Sequence, residues 1–326
     1  MKESLLKMLA CPTCGQGLAV EGPPPSPEGE ILEGRLICPA GHAYPIRTGV
    51  PRFVSDDAYV DNFSFEWKLH CRTQMDTCES KVSEEDFRRK TGLLPDQVRG
   101  KRILDVGCGM GRFLDVVARW GGEVVGIDLS YAVDAAFVNL GRGAGVHVVQ
   151  ADVFSLPFQE GCFDIIYSIG VLHHTPDCRA AFLRLPRLLV GGGHVCVWVY
   201  GRYNKLQSFT SDCWRAITTR LPKRLLYSLC YLSVPLYYLY RIPGIGHLLR
   251  NLFPISMQKR RTWRVLDTFD WYSPKYQSKH TYPEVFSWFR EAGLRQLMLY
   301  EPPVAVRGTR DWQSPSQPSE APGSGH

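Results

Sequence analysis

Short apolar runs alternate with helically spaced apolar residues through the middle of the chain. Ile103-Leu104-Asp105-Val106, Val124–Ile127, Val146–Gln150 and Phe163–Ser168 each read as a buried strand. Between the first two, Arg112–Trp120 carries Phe113, Val116, Val117 and Trp120 at helical spacing. A fifth strand is expected at His194–Tyr200. Thr281–Gly293 then reads as a helix, with Thr281 as N-cap and Glu284 completing a capping box. Leu294–Tyr300 and Val304–Arg307 give two last strands. This alternation predicts an α/β fold: a doubly wound, mostly parallel, seven-stranded sheet.

About 80 residues separate the fifth strand from the Thr281 helix, far more than a connection needs. Residues 201–280 are therefore expected to form a helical cap. Their central run, Leu225–Tyr240, has 16 uncharged residues with Pro235 inside. That is too short and too broken for a membrane span. Basic ends and tyrosines suit a helix lying at a membrane surface, through residues 221–241. A simple lid and a nucleic-acid surface are the other readings of the same stretch.

Charge sharpens this picture. The chain of 326 residues carries a formal net charge of +6. Gly201–Arg264 holds twelve Lys/Arg against Asp212 alone, leaving 26 basic and 31 acidic residues elsewhere. The excess is thus confined to the cap. The 11 cysteines, mostly scattered, suit a reduced chain better than a disulfide framework. The first ten residues lack a signal-peptide pattern. A cytoplasmic protein, peripheral to the inner membrane face where the cap touches lipid, is the expectation.

One cysteine group is not scattered. Cys11-Pro12-Thr13-Cys14 precedes Cys38-Pro39-Ala40-Gly41-His42. Cys11, Cys14, Cys38 and His42 have the spacing of a closed, structural zinc site. Gly15 stands where such a knuckle needs positive φ. A redox CxxC is the competing reading, and it wants a βαβ context that is absent here. Residues 5–54 resemble the zinc ribbons found in front of some methyltransferases, and the standalone zinc protein that activates certain tRNA and release-factor methyltransferases.

Gly107-Cys108-Gly109-Met110-Gly111 sits between the first strand and its helix, where glycines let a ligand approach the backbone. Asp128 ends the second strand, 21 residues after Gly107, and Asp152 follows the third. Together these residues resemble the class I S-adenosylmethionine-dependent methyltransferases. Ile169-Gly170-Val171-Leu172-His173-His174 is most similar to their ubiquinone/menaquinone C-methyltransferase-like branch. The resemblance implies that Asp105 positions the methionine amino group. Gly107, Cys108, Gly109 and Gly111 would underlie the cofactor, Asp128 and Leu129 the ribose, and Asp152 and Val153 the adenine, with Ser168 closing strand four. A dehydrogenase would explain the glycines and Asp128 but not Asp105 or Asp152.

His173 and His174 follow strand four, near where the methyl should project, and are the candidate catalytic pair. Tyr200, Asp270, Tyr272, Tyr276 and His280 are the candidate substrate contacts, the last four on a segment, Asp267–His280, that resembles part of methyltransferases of glycan or secondary-metabolite pathways. The implied organisation is a zinc ribbon (1–54), a helical linker and cofactor lid (55–99), the cofactor-binding core (100–200), the cap (201–280), the rest of the core (281–311) and a disordered tail (312–326). Phe63-Ser64-Phe65-Glu66-Trp67 would close over the cofactor. The expected reaction moves a methyl group from S-adenosylmethionine to O, N or C of a small, apolar or lipid-linked acceptor. An rRNA or tRNA methyltransferase using the zinc module for RNA, and a non-catalytic adaptor, are the alternatives.

Overall fold

The computed structural model describes residues 1–54, 74–77, 81–300 and 304–312. The Phe63–Trp67 aromatics and the tail beyond Trp312 lie outside them.

The N-terminal unit is a short helix, α1 (Glu3–Leu6), and a four-stranded antiparallel sheet: β1 (Ala19–Glu21), β2 (Gly34–Ile37), β3 (Ala43–Arg47) and β4 (Val50–Pro51). Two helices follow, α2 (Val82–Thr91) and α3 (Pro95–Val98). The central layer then alternates β5 (Arg102–Val106), α4 (Arg112–Arg119), β6 (Glu123–Asp128), α5 (Ala132–Leu140), β7 (Val146–Gln150), β8 (Phe163–Ile169), α6 (Cys178–Leu183) and β9 (Leu189–Val199). The cap contributes α7 (Lys205–Thr218), α8 (Lys223–Cys230), α9 (Ser233–Leu239), α10 (Ile245–Leu252) and α11 (Arg261–Tyr272). The chain ends with α12 (Tyr282–Glu291), β10 (Leu294–Leu299) and β11 (Val304–Arg310).

The large sheet runs β10-β11-β9-β8-β5-β6-β7. Strands β5 to β9 are mutually parallel, and β11 enters antiparallel between β9 and β10. Strands β5 to β8 read as near-continuous apolar runs because both of their faces are covered. Alternate residues serve opposite faces. Leu104, Val125, Val149 and Ile166 join one core, while Ile103, Val124, Val148 and Ile165 join the other. The second core is completed by Phe87 of α2, Val117 of α4 and Ala136 of α5.

The first core is shared with the N-terminal unit. Leu5, Leu9, Leu36 and Ile46 pack in one cluster with Leu104, Phe158 and Phe163. Backbone pairing joins the two sheets as well. Arg52 lies in a parallel bridge with Gln150 of β7, and the Phe53 N–H donates to the Gln150 carbonyl at 2.8 Å. The buried Arg52 guanidinium donates to Gln150 Oε1 at 2.9 Å and pairs with Asp134 of α5.

The cap leaves and re-enters the sheet at one joint. The His280 N–H donates to the Tyr200 carbonyl at 2.8 Å, and the Arg202 N–H donates to the His280 carbonyl at 2.9 Å. The cap has its own small core of Leu226, Cys230, Val265 and Phe269. Two local expectations are corrected. The tyrosine-rich run is not one helix: it breaks at Tyr231–Leu232 into α8 and α9, and Pro235 is tolerated because it falls in the first turn of α9. Thr281 makes no side-chain cap, and Glu284 pairs instead with His280 Nδ1, 2.8 Å away.

Candidate functional site

The glycine turn between β5 and α4 adopts the backbone that only glycine holds comfortably. Gly107, Gly109 and Gly111 have φ of 86°, 51° and 98°. The Gly109 N–H donates to Asp128 Oδ2 at 2.9 Å, and the Ser130 N–H and Oγ–H donate to Oδ1 at 2.8 and 2.7 Å. Asp128 therefore holds the turn in place as well as facing the cavity. Burial raises its pKa, while the Ser130 and Gly109 hydrogen bonds pull the other way. Asp105, one layer deeper, is buried, and its Oδ2 has no partner among the described residues. Burial pushes this carboxyl well above its usual range, and the neighbouring Asp128 charge adds to the shift. A hydrogen bond from Tyr167 pulls the other way.

A cavity of about 230 Å³ opens over the turn. Gly107, Cys108, Gly109, Asp128, Leu129, Asp152, Val153, His174, Tyr200 and Asp270 border it. Asp105, Gly111, Ser168 and His173 do not. Ser168 Oγ donates to the Val106 carbonyl at 2.9 Å, tying β8 to β5. Gly111 is the N-cap of α4. His173 is fully buried and lies flat against the Tyr200 ring. His173 therefore sits behind the cavity wall, supporting Tyr200, and burial drives its pKa well down.

His174 borders the cavity. Its Nδ1 lies 3.0 Å from the Tyr276 carbonyl, so Nδ1 carries the proton and Nε2 the lone pair. Burial lowers its pKa to about 4, against a smaller upward pull from the Tyr276 carbonyl. It is a neutral imidazole near pH 7.

A second cavity, of about 560 Å³, lies under the cap. The two share Arg112, Phe113, Ile169, Gly170, Tyr200 and Asp270. Tyr272 borders the second, its hydroxyl donating to the Pro254 carbonyl at 2.7 Å. Tyr276 and His280 border neither. Tyr276 serves through its carbonyl, and His280 is engaged at both ring nitrogens by Glu284 and Ser278, at 2.8 and 2.7 Å. The Tyr276 carbonyl and the His280 ring thus brace the His174 loop and the joint, away from both cavities.

The lining of the second cavity is mixed, with Phe113, Ile169, Trp198, Trp263 and Trp271 beside its polar groups. Asn204, Gln207, Ser208, Ser211, Gln258 and Gln277 present amides and hydroxyls. Asp267, which pattern reading passed over, also faces it. Burial and the Asp270 charge raise Asp267 to about 7, although it accepts from Ser256 Oγ at 3.2 Å. Arg112 and Lys90 are already engaged. Arg112 pairs with Asp86 at 2.8 Å and stacks on Trp263, while Lys90 sits over the Trp198 ring. These residues come from four elements distant in sequence, and no local motif marks them.

The four zinc candidates do converge. Their ligand atoms lie within 4.8 Å of one another. Cys14 and Cys38 Sγ are 3.7 Å apart, and His42 Nδ1 lies 3.2 Å from Cys38 Sγ. Tetrahedral Zn–S bonds of about 2.3 Å would set edges of roughly 3.7 Å, so the donor set fits zinc. Gly15 has φ 74°, as the knuckle requires.

Residues 104–197 match the methyltransferase domain family, which covers the glycine turn, Asp128, Asp152 and the two histidines. The chain carries a methyltransferase domain. Residues 2–49 match the Trm112p-like protein family. Among relatives, the chain is 33% identical to a probable tRNA methyltransferase 9B of Bos taurus over 40% of this chain and 28% of that one. It is 37% identical to a ubiquinone biosynthesis O-methyltransferase of Alkalilimnicola ehrlichii over 39% of this chain and 52% of that one. It therefore spans about a quarter to a half of these relatives. A complex of the Haloferax volcanii Trm112 methyltransferase activator with a methyltransferase is similar at 13% identity and TM-score 0.45, covering 77% of this chain and 98% of that one. The two family matches lie on one polypeptide, separated by residues 50–103.

Proposed function

We propose that this protein transfers the methyl group of S-adenosylmethionine to a small acceptor whose polar end sits in the cap cavity. The observation that carries this reading is the junction of the two cavities at Tyr200 and Asp270. One cavity has the acids and glycine turn suited to an adenosyl amino acid, and the other has room and hydrogen-bonding groups for an acceptor.

Bound there, S-adenosylmethionine would supply an already activated methyl group on a sulfonium. The chain's own residues would do the rest by positioning and water exclusion. Asp128 with Leu129 would face the ribose and Asp152 with Val153 the adenine, with Asp105 beneath the glycine turn. Tyr200, Asp270 and Tyr272 would orient the acceptor, with Asp267 behind them. Where the acceptor atom carries a proton, His174 Nε2 or the Asp270 carboxylate would receive it. The mixed lining suits an acceptor with both polar and apolar parts, such as the head of a lipid-linked one. Cys11, Cys14, Cys38 and His42 would hold a structural zinc, with no open position for catalysis.

The Trm112p-like match and the tRNA methyltransferase relatives favour a second reading, in which the acceptor is RNA. One experiment separates the readings. The protein is incubated with cofactor labelled in the methyl group, together with RNA, lipid or small-molecule fractions, after calorimetric titration with S-adenosylmethionine. Label in the lipid or small-molecule fraction supports the proposal, and label in RNA replaces it. An intact fold that binds no cofactor would make the protein an adaptor.

A further inference from the structure

Two of the cap helices, α7 and α10, are built inside out. On α7, Leu206, Phe209, Cys213 and Ile217 recur at helical spacing and are all exposed. The opposite face of the same helix is polar and turned inward. Ser208 and Ser211 border the second cavity, and the buried Arg215 donates to the Trp271 and Pro274 carbonyls at 3.3 and 2.6 Å. Helix α10 repeats the arrangement: Ile245, Leu248 and Leu252 face outward, while Gly246 and Asn251 are buried. The two helices pack on each other through polar groups, with Asn204 Nδ2 donating to Asn251 Oδ1 at 2.8 Å and Trp214 Nε1 donating to the Leu252 carbonyl at 2.9 Å.

The exposure is concentrated. Among the described residues, 15 of the 23 exposed large hydrophobic side chains lie in the 51 residues from Tyr203 to Phe253. Scattered exposed leucines are ordinary, but a contiguous run of exposed apolar faces marks a docking surface.

Charge decides what docks. Nine of the twelve basic residues between Gly201 and Arg264 are exposed, including Lys205, Arg220, Arg224, Arg241 and Arg250. The single acid, Asp212, is paired with Lys279 at 2.6 Å. Two copies of so basic a face would repel each other. No described helix is long and apolar enough to cross a membrane. Short helices with apolar outer faces and basic flanks suit a surface that is apolar below and anionic above.

We infer that the cap, from α7 through α10, is a membrane-docking surface that seats on anionic lipid. The site is wider than the 221–241 stretch that sequence pattern singles out, because α7 and α10 carry its clearest outward faces. This inference does not depend on methyl transfer.

The test uses the full chain and sedimentation with vesicles of phosphatidylcholine alone, or of phosphatidylcholine mixed with phosphatidylglycerol. Strong, salt-sensitive binding is expected only with the anionic vesicles. The surface variant Leu206→Ser/Phe209→Ser/Ile217→Ser should weaken it on the order of tenfold, as should Arg220→Glu/Arg224→Glu. These side chains are exposed, so the melting temperature should hold. Failure of the parent protein to bind anionic vesicles, or equal binding by parent and variants, would overturn the inference. So would a concentration-dependent dimer abolished by the same substitutions, which would assign the face to a second copy.

Discussion

The rings of His173 and Tyr200 lie against each other, 3.9 Å between centroids and 29° between planes. Tyr200 borders both cavities, so the fully buried His173 fixes a wall that cofactor and acceptor would share. Replacing His173 with Ala should free that wall without touching the glycine turn. The acceptor KM should rise severalfold while cofactor affinity, measured by calorimetry, stays near the parent value. The void should also lower stability by about 2 kcal/mol or more, read as a drop in Tm.

Gly107 offers a sharper test of the cofactor site. Its φ is 86°, and a Cβ there would sit 2.3 Å from Val171 Cγ2. Gly107→Ala combines left-handed strain of about 1–2 kcal/mol with that clash. Cofactor binding should be lost in calorimetry. Gly107→Ala/Val171→Ala should recover it only in part, because the strain remains.

Asp267 gives a pH signature. Its pKa rises from 3.8 to about 7 on folding, so the folded chain holds the proton more tightly than the unfolded chain. Stability from this group is present at low pH and is lost as pH rises from about 4 to about 7, by up to about 1.4 kcal/mol per pH unit. Asp267→Asn removes that loss. Its Tm should gain on the parent protein as pH rises through this window and then level off above 7. A Tm difference that does not change with pH would refute the assignment.

Zinc should be structural for the whole molecule. Cys14 is exposed, so Cys14→Ser removes a donor without opening a core void. Emission spectroscopy should find one zinc per chain in the parent protein and less in the variant. Because Leu5, Leu36 and Leu104 share one core, chelation should lower the Tm of a single transition for both units.

The sheet was legible because its signals are local. Asp105, Gly107 and Asp128 lie within a strand, turn, helix and strand, and buried parallel strands write themselves as apolar runs. The zinc quartet was equally readable, since ligand spacing survives without knowledge of the loop between the pairs. The acceptor side was not. Asp267 and Asp270 stand one helical turn apart on α11, yet what makes them notable is the approach of Arg112, Tyr200 and Gln277 from elsewhere in the chain. His173 and His174 are neighbours in sequence and differ only in which way the turn after β8 sends each ring. The inverted α7 was hidden for another reason: its apolar period reads as a core-facing helix until burial shows that the stripe points outward.

One consequence of the pairing between Arg52–Phe53 and Gln150 concerns what the large sheet would do without its N-terminal unit. β7 is the last strand on its side of that sheet. An uncovered outer strand offers free amides and carbonyls to any passing chain, and β7, with Val146, Val148 and Val149, has the β-branched composition that such pairing favours. A chain shortened to begin after Val54 would bare this ladder together with the apolar floor beneath Leu5 and Leu36. It should self-associate through strand addition rather than persist as a smaller, soluble catalyst. The N-terminal unit is in this sense a guard against intermolecular pairing, a duty it would perform whether or not any acceptor is present.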